Sequence, residues 1–230
     1  MSEHSLTDAT VMKVILFGAT GMVGQGALRE CLLDPQVEVV LSIGRGRTDQ
    51  QHPKLQEWVL PDLFDLGAHA SRLQGFNAAL FCLGVTSAGM NEADYRHVTY
   101  ELTIAIAQAL VRLNPNMTFI FVSGAGTDST ERGGTMWARV KGATENELLR
   151  MPFKAAYMFR PGAIRPLHGS RSKTASYRIA YLLMAPVLPL MQRVLPGLIT
   201  TTEQLGRAML HAARSGAPKR ILETRDINQL

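Results

Sequence analysis

The stretch Val11-Met12-Lys13-Val14-Ile15-Leu16-Phe17-Gly18-Ala19-Thr20-Gly21-Met22-Val23-Gly24 decides the fold of this chain. Its first half is a short apolar run containing the β-branched residues Val11, Val14 and Ile15. A strand with one solvated face would alternate polar and apolar residues, so the run predicts a strand buried on both faces. The second half reads as a glycine turn that opens a helix. Gly18 lets the chain leave the strand sharply. Gly21 has no side chain, so a pyrophosphate can lie against backbone N–H groups. Gly24 lets the helix pack close to the sheet. The helix N-terminus adds unpaired N–H donors and roughly half a positive charge. A glycine triplet is informative only between a strand and a helix, and this one has both. The alternative is a glycine-rich turn that binds nothing.

The spacing is Gly-x-x-Gly-x-x-Gly, and on this string the chain resembles the short-chain dehydrogenase/reductase superfamily. The segment G-A-T-G-M-V-G is similar to the extended and atypical branches, which include sugar-nucleotide epimerases, NmrA-like regulators and Tat-interacting-protein-like oxidoreductases. The resemblance implies an α/β fold, a Rossmann-type doubly wound parallel sheet with a small C-terminal substrate-side region. It implies NAD or NADP as cofactor, held by Gly18, Thr20, Gly21, Met22, Val23 and Gly24, and a possible homodimer. It covers residues 11–162 well and the rest in outline. The expected organisation is a single NAD(P)-binding domain over 1–230, with a core at about 11–162 and a substrate lid at about 163–230.

Bulk properties agree with this class and exclude others. The chain has 230 residues, 46% apolar and 19% charged, which suits one domain with a sizeable core. The net charge is +5, but lysine and arginine are scattered. Small groups occur only at Arg45/Arg47 and at Arg165/Arg171/Lys173, whereas a nucleic-acid partner requires clustered charge. No His, Asp and Glu cluster has metal-ligand spacing, so no metal is expected. Cys31 and Cys82 read as buried reduced thiols, and a cytoplasmic setting follows. The first ten residues are polar and hold no signal-peptide core. Residues 179–192 are uncharged, but Pro186 and Pro189 interrupt a run already too short to span a bilayer. This stretch is expected to cover the substrate pocket or a dimer interface, with a membrane-surface role as the alternative.

In chain order, helix 22–33 ends near Asp34-Pro35, and strand 37–43 leads into Gly44-Arg45-Gly46-Arg47. In this fold the end of the second strand meets the adenosine ribose, where an acidic residue selects NAD. No acidic residue stands there, since Asp49 comes later. Arg45 and Arg47 instead suit a 2′-phosphate, which favours NADP(H) over NAD(H). Two solvated loop arginines are the alternative. Strand 55–60 is followed by Pro61-Asp62-Leu63, where the resemblance places an Asp–hydrophobic pair at the adenine. Asp62 can equally cap the helix of 66–73. Strand 76–83 brings Leu83 and Gly84 to the cofactor, the small residue letting the backbone approach. Helix 90–113 carries apolar Val98, Leu102, Ile106, Ala109 and Leu113 at helical spacing. Tyr95 and Thr99 share one face of it, for packing or for the cofactor edge. Strand 117–122 ends at Ser123, helix 135–149 follows, and strand 154–159 leads into Arg160-Pro161-Gly162. The resemblance has Pro161 and Gly162 lining the nicotinamide end. Helices near 172–184 and 203–214 and a strand at 220–222 complete the chain.

The chemistry departs from the pattern at one position. The resembling enzymes use Ser, Tyr and Lys, with Tyr and Lys four apart on one helix face. The lysine lowers the tyrosine pKa and holds the nicotinamide ribose, and the phenol exchanges a proton with the substrate oxygen. Ser123 and Lys141 match, but the tyrosine position holds Trp137. An indole N–H donates a hydrogen bond and does not exchange a proton at useful pH. Three readings stay open. The chain is an oxidoreductase or epimerase-like enzyme on a small carbonyl or hydroxyl substrate that recruits Tyr95, Tyr177 or His168 as acid. It binds NADP(H) without turnover, as a redox sensor or scaffold. Or the register differs and Tyr157 is the true tyrosine, although Pro161 rather than lysine lies four residues on.

Overall fold

The structure, a computed structural model, describes residues 11–170 and 197–230. Strand β1 (Met12–Phe17) leads through the glycine turn into helix α1 (Met22–Leu33). Strands β2 (Val37–Gly44) and β3 (Leu55–Val59) follow, then a 3-10 segment (Leu63–Leu73) and β4 (Ala78–Phe81). Helix α2 (Glu92–Arg96) continues through a π turn (His97–Glu101) into α3 (Leu102–Leu113). Next come β5 (Thr118–Val122), α4 (Met136–Arg150), β6 (Ala155–Arg160) and β7 (Ala163–Arg165). The last described elements are β8 (Ile199–Thr201), α5 (Thr202–Ser215), β9 (Ile221–Glu223) and the single turn α6 (Thr224–Ile227).

Seven strands form one parallel sheet in the order β3-β2-β1-β4-β5-β6-β9, and β7 pairs with β8 beside it. The chain runs outward from β1 to β3, returns to β4, and proceeds the other way. The strand order therefore reverses between β1 and β4, which opens a crevice beyond their C-terminal ends. β1 is buried on both faces. Val14 and Leu16 pack with Leu28 of α1 and with Leu205 and Met209 of α5. Ile15 and Phe17 face Phe81, Phe119, Phe121 and Leu110. While Lys13 near the start of the strand is half-exposed and faces Glu38, helices on both faces explain the apolar run of residues 14–17. Each such side chain contributes about 1.5–3 kcal/mol when fully buried.

Element boundaries shift for local reasons. The 3-10 segment starts three residues before the expected helix because the Asp62 carboxylate accepts the Phe64 N–H at 2.9 Å. It kinks at His69. The long helix begins at Glu92 because Asn91 caps it, accepting the Asp94 N–H at 2.9 Å. Its middle widens into a π turn that hydropathy periodicity does not encode. The fourth strand is trimmed to Ala78–Phe81, all four residues buried. The three-residue strands β7 and β8 are too short to show periodicity. The expected helix near 172–184, the apolar stretch 179–192, Arg171, Lys173 and Tyr177 lie outside the described residues. Among the described residues no helix is long and apolar enough to cross a membrane.

Candidate cofactor and active site

The glycine turn sits at the β1/β4 crevice. Gly18 has φ +81°, and a Cβ there would lie 2.7 Å from the Cys82 carbonyl oxygen at the end of β4. A Cβ on Gly24 would overlap the Gly18 carbonyl, so both positions require glycine for the fold itself. Gly21 differs. It is the N-cap of α1 with ordinary extended backbone, its N–H donates to the Gly18 oxygen at 2.9 Å, and it brings no capping side chain. The first turn of α1 contains no acidic residue. The N–H groups of Met22 and Val23 have no carbonyl one turn back, and an anion is the partner such a helix start suits.

A cavity of about 340 Å³ opens over this turn. Gly18, Thr20 and Gly21 line it from the turn, Gly44 and Arg45 from the end of β2, Leu63 from the 3-10 segment, and Leu83 and Gly84 from the end of β4. Arg47, Asp62 and Gly162 are among the expected contacts that do not line this cavity. Arg47 lines a separate depression with His52 and Glu57. Thr48 draws that loop toward β3 by donating its N–H and hydroxyl to Glu57 at 2.6 and 2.8 Å. Asp62 is exposed and spends a carboxylate oxygen on its own helix. Gly162 donates its N–H to the Thr224 hydroxyl at 2.8 Å, and a Cβ there would meet the Leu198 carbonyl at 2.7 Å. The close approach that requires this glycine is therefore to the chain's own backbone.

Further along the same sheet edge, the Ser123 N–H donates to the Phe159 carbonyl at 2.8 Å and the Ala125 N–H to the Pro161 carbonyl at 2.9 Å. These bonds set the serine turn beside the Arg160-Pro161-Gly162 turn. Lys141, on α4, donates from Nζ to the Ser123 carbonyl oxygen at 2.8 Å. Trp137 lies one helical turn before it, half-buried, with its ring against Gly126. The Ser123 hydroxyl lies 2.9 Å from that of Thr127. Thr127 gives its one hydroxyl proton to the Gly124 carbonyl at 2.8 Å, so Ser123 is the donor of the pair.

Behind Lys141 stands a buried ion pair. Glu145 is fully buried one turn on, and Arg160 donates to it from Nε at 3.0 and 3.1 Å and from a terminal nitrogen at 2.5 Å. Arg160 also reaches the Ser129 hydroxyl at 2.5 Å and Glu223 at 3.4 Å. Burial alone would weaken the Arg160 cation. Its hydrogen bonds and charge pairing with Glu145, with Glu223 in support, outweigh that and raise its pKa. For Lys141 the balance is opposite. Burial pushes its ammonium down to about 8, against a smaller opposing pull from Glu145. Sequence reasoning missed Thr127, Glu145 and the Arg160 guanidinium. The four-residue spacing of Lys141 and Glu145 was a usable signal for one of them.

The candidate replacement acids are placed as follows. Tyr95 is only 2% exposed and meets Thr99, and burial raises its pKa. His168, with φ 53°, bonds Glu203 through Nε2 at 2.5 Å. Tyr157 lies in β6 and its hydroxyl accepts the Ala217 N–H at 3.1 Å, on the α5 side of the sheet. Both cysteines are free, and burial drives both thiols up, Cys82 to about 12.

No family model matches the chain. Among curated relatives, the mitochondrial protein fmp52-2 of Aspergillus oryzae is 26% identical over 151 residues, 65% of this chain and 66% of its own length. The protein HTATIP2 of Rattus norvegicus is 25% identical over 154 residues, 66% of this chain and 62% of its own. The matched region thus spans under two thirds of either relative. Among solved structures, a short-chain dehydrogenase from Burkholderia cenocepacia in complex with NADP superposes with a TM-score of 0.65 at 16% identity, covering 96% of this chain and 92% of that one. The fold is that of the short-chain dehydrogenase/reductases. The Bordetella bronchiseptica enzyme WbmF, in complex with NAD+, gives a TM-score of 0.67 at 12% identity, covering 96% of this chain and 77% of that one. The two partners differ in cofactor, so the fold by itself does not choose between NAD and NADP.

Proposed function

We propose that this chain binds NADP(H) in the β1/β4 crevice and is an oxidoreductase acting on a small carbonyl or hydroxyl substrate. The observation that carries the reading is the cavity over the glycine turn. Its floor is Gly21 at an uncapped helix start free of acidic side chains, and Arg45 stands on its rim. The Met22 and Val23 N–H groups would hold the pyrophosphate against the bare Cα of Gly21, and Leu63 and Gly84 would flank the adenosine half. Bound there, NADPH supplies hydride. Ser123, Lys141 and the Pro161 turn would border the nicotinamide end, with residues beyond 163 on the substrate side. Cytoplasmic residence is the proposed location, on the two free thiols. The mitochondrial naming of the fungal relatives makes cell fractionation the test of that point.

Calorimetric titration with NADPH and NADH at one salt concentration tests the cofactor. NADPH is expected to bind at least tenfold tighter. Arg45→Ala is expected to remove one charge-assisted contact, worth about 1.5–3 kcal/mol or roughly 10- to 100-fold, from NADPH alone. An equal loss on NADH would count against a 2′-phosphate contact. A second reading, NADP(H) sensing without turnover, is favoured by Trp137 in the tyrosine position. Tight NADPH binding with no oxidation across a broad carbonyl panel would select it.

A further inference from the structure

We propose that the Lys141 ammonium itself gives up the proton that the substrate oxygen takes during reduction. The proposal rests on the reading of the chain as an NADPH-dependent reductase. Trp137 holds the place of a phenol and has no proton to exchange. Ser123 has committed its hydroxyl proton to Thr127, because Thr127 has committed its own to Gly124. Tyr95 is sealed against Thr99, and His168 is engaged by Glu203. Lys141 has three N–H donors and uses one on the Ser123 carbonyl. Among the described residues no other acceptor takes the remaining two.

The surroundings of Lys141 suit proton release. Phe121 of β5 presents its ring 6.0 Å from Nζ. Glu145, the nearest anion on α4, is held by Arg160 of β6, which is also in reach of Glu223 of β9. From α2, Glu92 is paired with Arg139 of α4 at 2.6 Å, and Tyr95 is neutral. In the π turn His97 and Glu101 pair with each other at 2.7 Å. Of these carboxylates, Glu145 and Glu92 are each held by an arginine, and burial favours the neutral amine. In the step, hydride adds to the carbonyl carbon and the C=O π pair moves to oxygen. That oxygen takes a proton from Nζ, leaving a neutral amine that water reprotonates.

Two measurements on the full chain test this. Competitive labelling with trace acetic anhydride, read at the Lys141 peptide by mass spectrometry, is expected to titrate with a midpoint near 8. A midpoint near the ordinary 10.5 overturns the proposal. NADPH oxidation with para-nitrobenzaldehyde and phenanthrenequinone as probes is expected to lose kcat above the same pH. Lys141→Arg keeps the charge and the bond to Ser123 but cannot release a proton. It is expected to lower kcat by about 100- to 1000-fold while NADPH still binds, and Trp137→Tyr added to it should recover part of the loss. Full activity in Lys141→Arg reduces the lysine to a positioning role and overturns the proposal. NADPH binding without turnover of either probe also overturns it, while leaving the cofactor reading intact. Failure to bind NADPH removes both readings.

Discussion

Arg160→Ala is expected to destabilise the chain by about 3–5 kcal/mol, the usual cost of removing one partner from a buried ion pair. Glu145 is fully buried on α4, and Arg160 supplies the charge-bearing hydrogen bonds that reach its carboxylate. Truncation to alanine leaves that carboxylate in the interior with no cation. Loss of the 3.4 Å contact to Glu223 adds little, since Glu223 is half-exposed and surface pairs are weak. For a chain of this size the change corresponds to a melting temperature lower by about 10 °C. The double variant Arg160→Met with Glu145→Leu removes both charges and fills the volume, so it is expected to recover most of the loss. Urea denaturation of the three proteins checks this. A cost below about 1 kcal/mol for Arg160→Ala would show that the Glu145 carboxylate finds another partner, and the account of Lys141 would lose its electrostatic support.

The same pair shows what the sequence can and cannot disclose. Residues 11–24 announce strand, turn and helix because each demand is local. The doubly buried part of the strand, residues 14–17, must be apolar at every position, and Gly18 and Gly24 stand where any Cβ would strike backbone. Sequence order also places Ser123 and the Arg160 turn at successive strand ends and Lys141 in the helix between them, which the parallel topology collects on one edge. Arg160 and Glu145 are 15 residues apart on different elements, and no periodicity joins them. Thr127 is missed because its role, fixing the direction of the Ser123 hydroxyl, is set by a three-residue turn to Gly124. Arg45 and Arg47 look equivalent in sequence and are not. One lines the cavity, while the Thr48–Glu57 bonds carry the other into a neighbouring depression. Asp62 caps its helix through one carboxylate oxygen, which accepts the Phe64 N–H, a role compatible with meeting a base through the other.

Lys141 carries a stability consequence that runs against function. Its folded pKa lies below its unfolded value, so the folded state disfavours its charge. The penalty is complete below pH about 8 and fades as pH rises from there toward 10.5, where the unfolded chain also loses the proton. Lys141→Met, which removes the charge and keeps the aliphatic length, is therefore expected to raise the melting temperature at neutral pH while abolishing turnover. A stabilised but inactive variant is what a buried functional cation produces. A melting temperature that falls instead would mean that the bond to the Ser123 carbonyl outweighs the cost of burying the charge.

Gly21→Val is expected to abolish dinucleotide binding and leave the fold standing. The two outcomes separate because the three glycines of the turn are constrained differently. Gly18 has positive φ, and a Cβ on Gly24 collides with the Gly18 carbonyl, so substitutions at either disrupt the packing of α1 on the sheet. At Gly21 the backbone is extended, and a Cβ would stand 3.3 Å from the Gly18 oxygen, a contact a small shift relieves. The valine would occupy space at the helix start that a phosphate needs. Losing two charge-assisted hydrogen bonds, at about 1.5–3 kcal/mol each, lowers affinity by 100-fold or more. The loss should be equal for NADPH and NADH, because the pyrophosphate is common to both, whereas Arg45→Ala should separate them. Calorimetry on the two variants, with melting temperatures as the control for folding, therefore reads two ends of one bound molecule. Retention of NADPH affinity by Gly21→Val, in a protein that melts like the parent, would move the dinucleotide out of this crevice and take the Arg45 assignment with it.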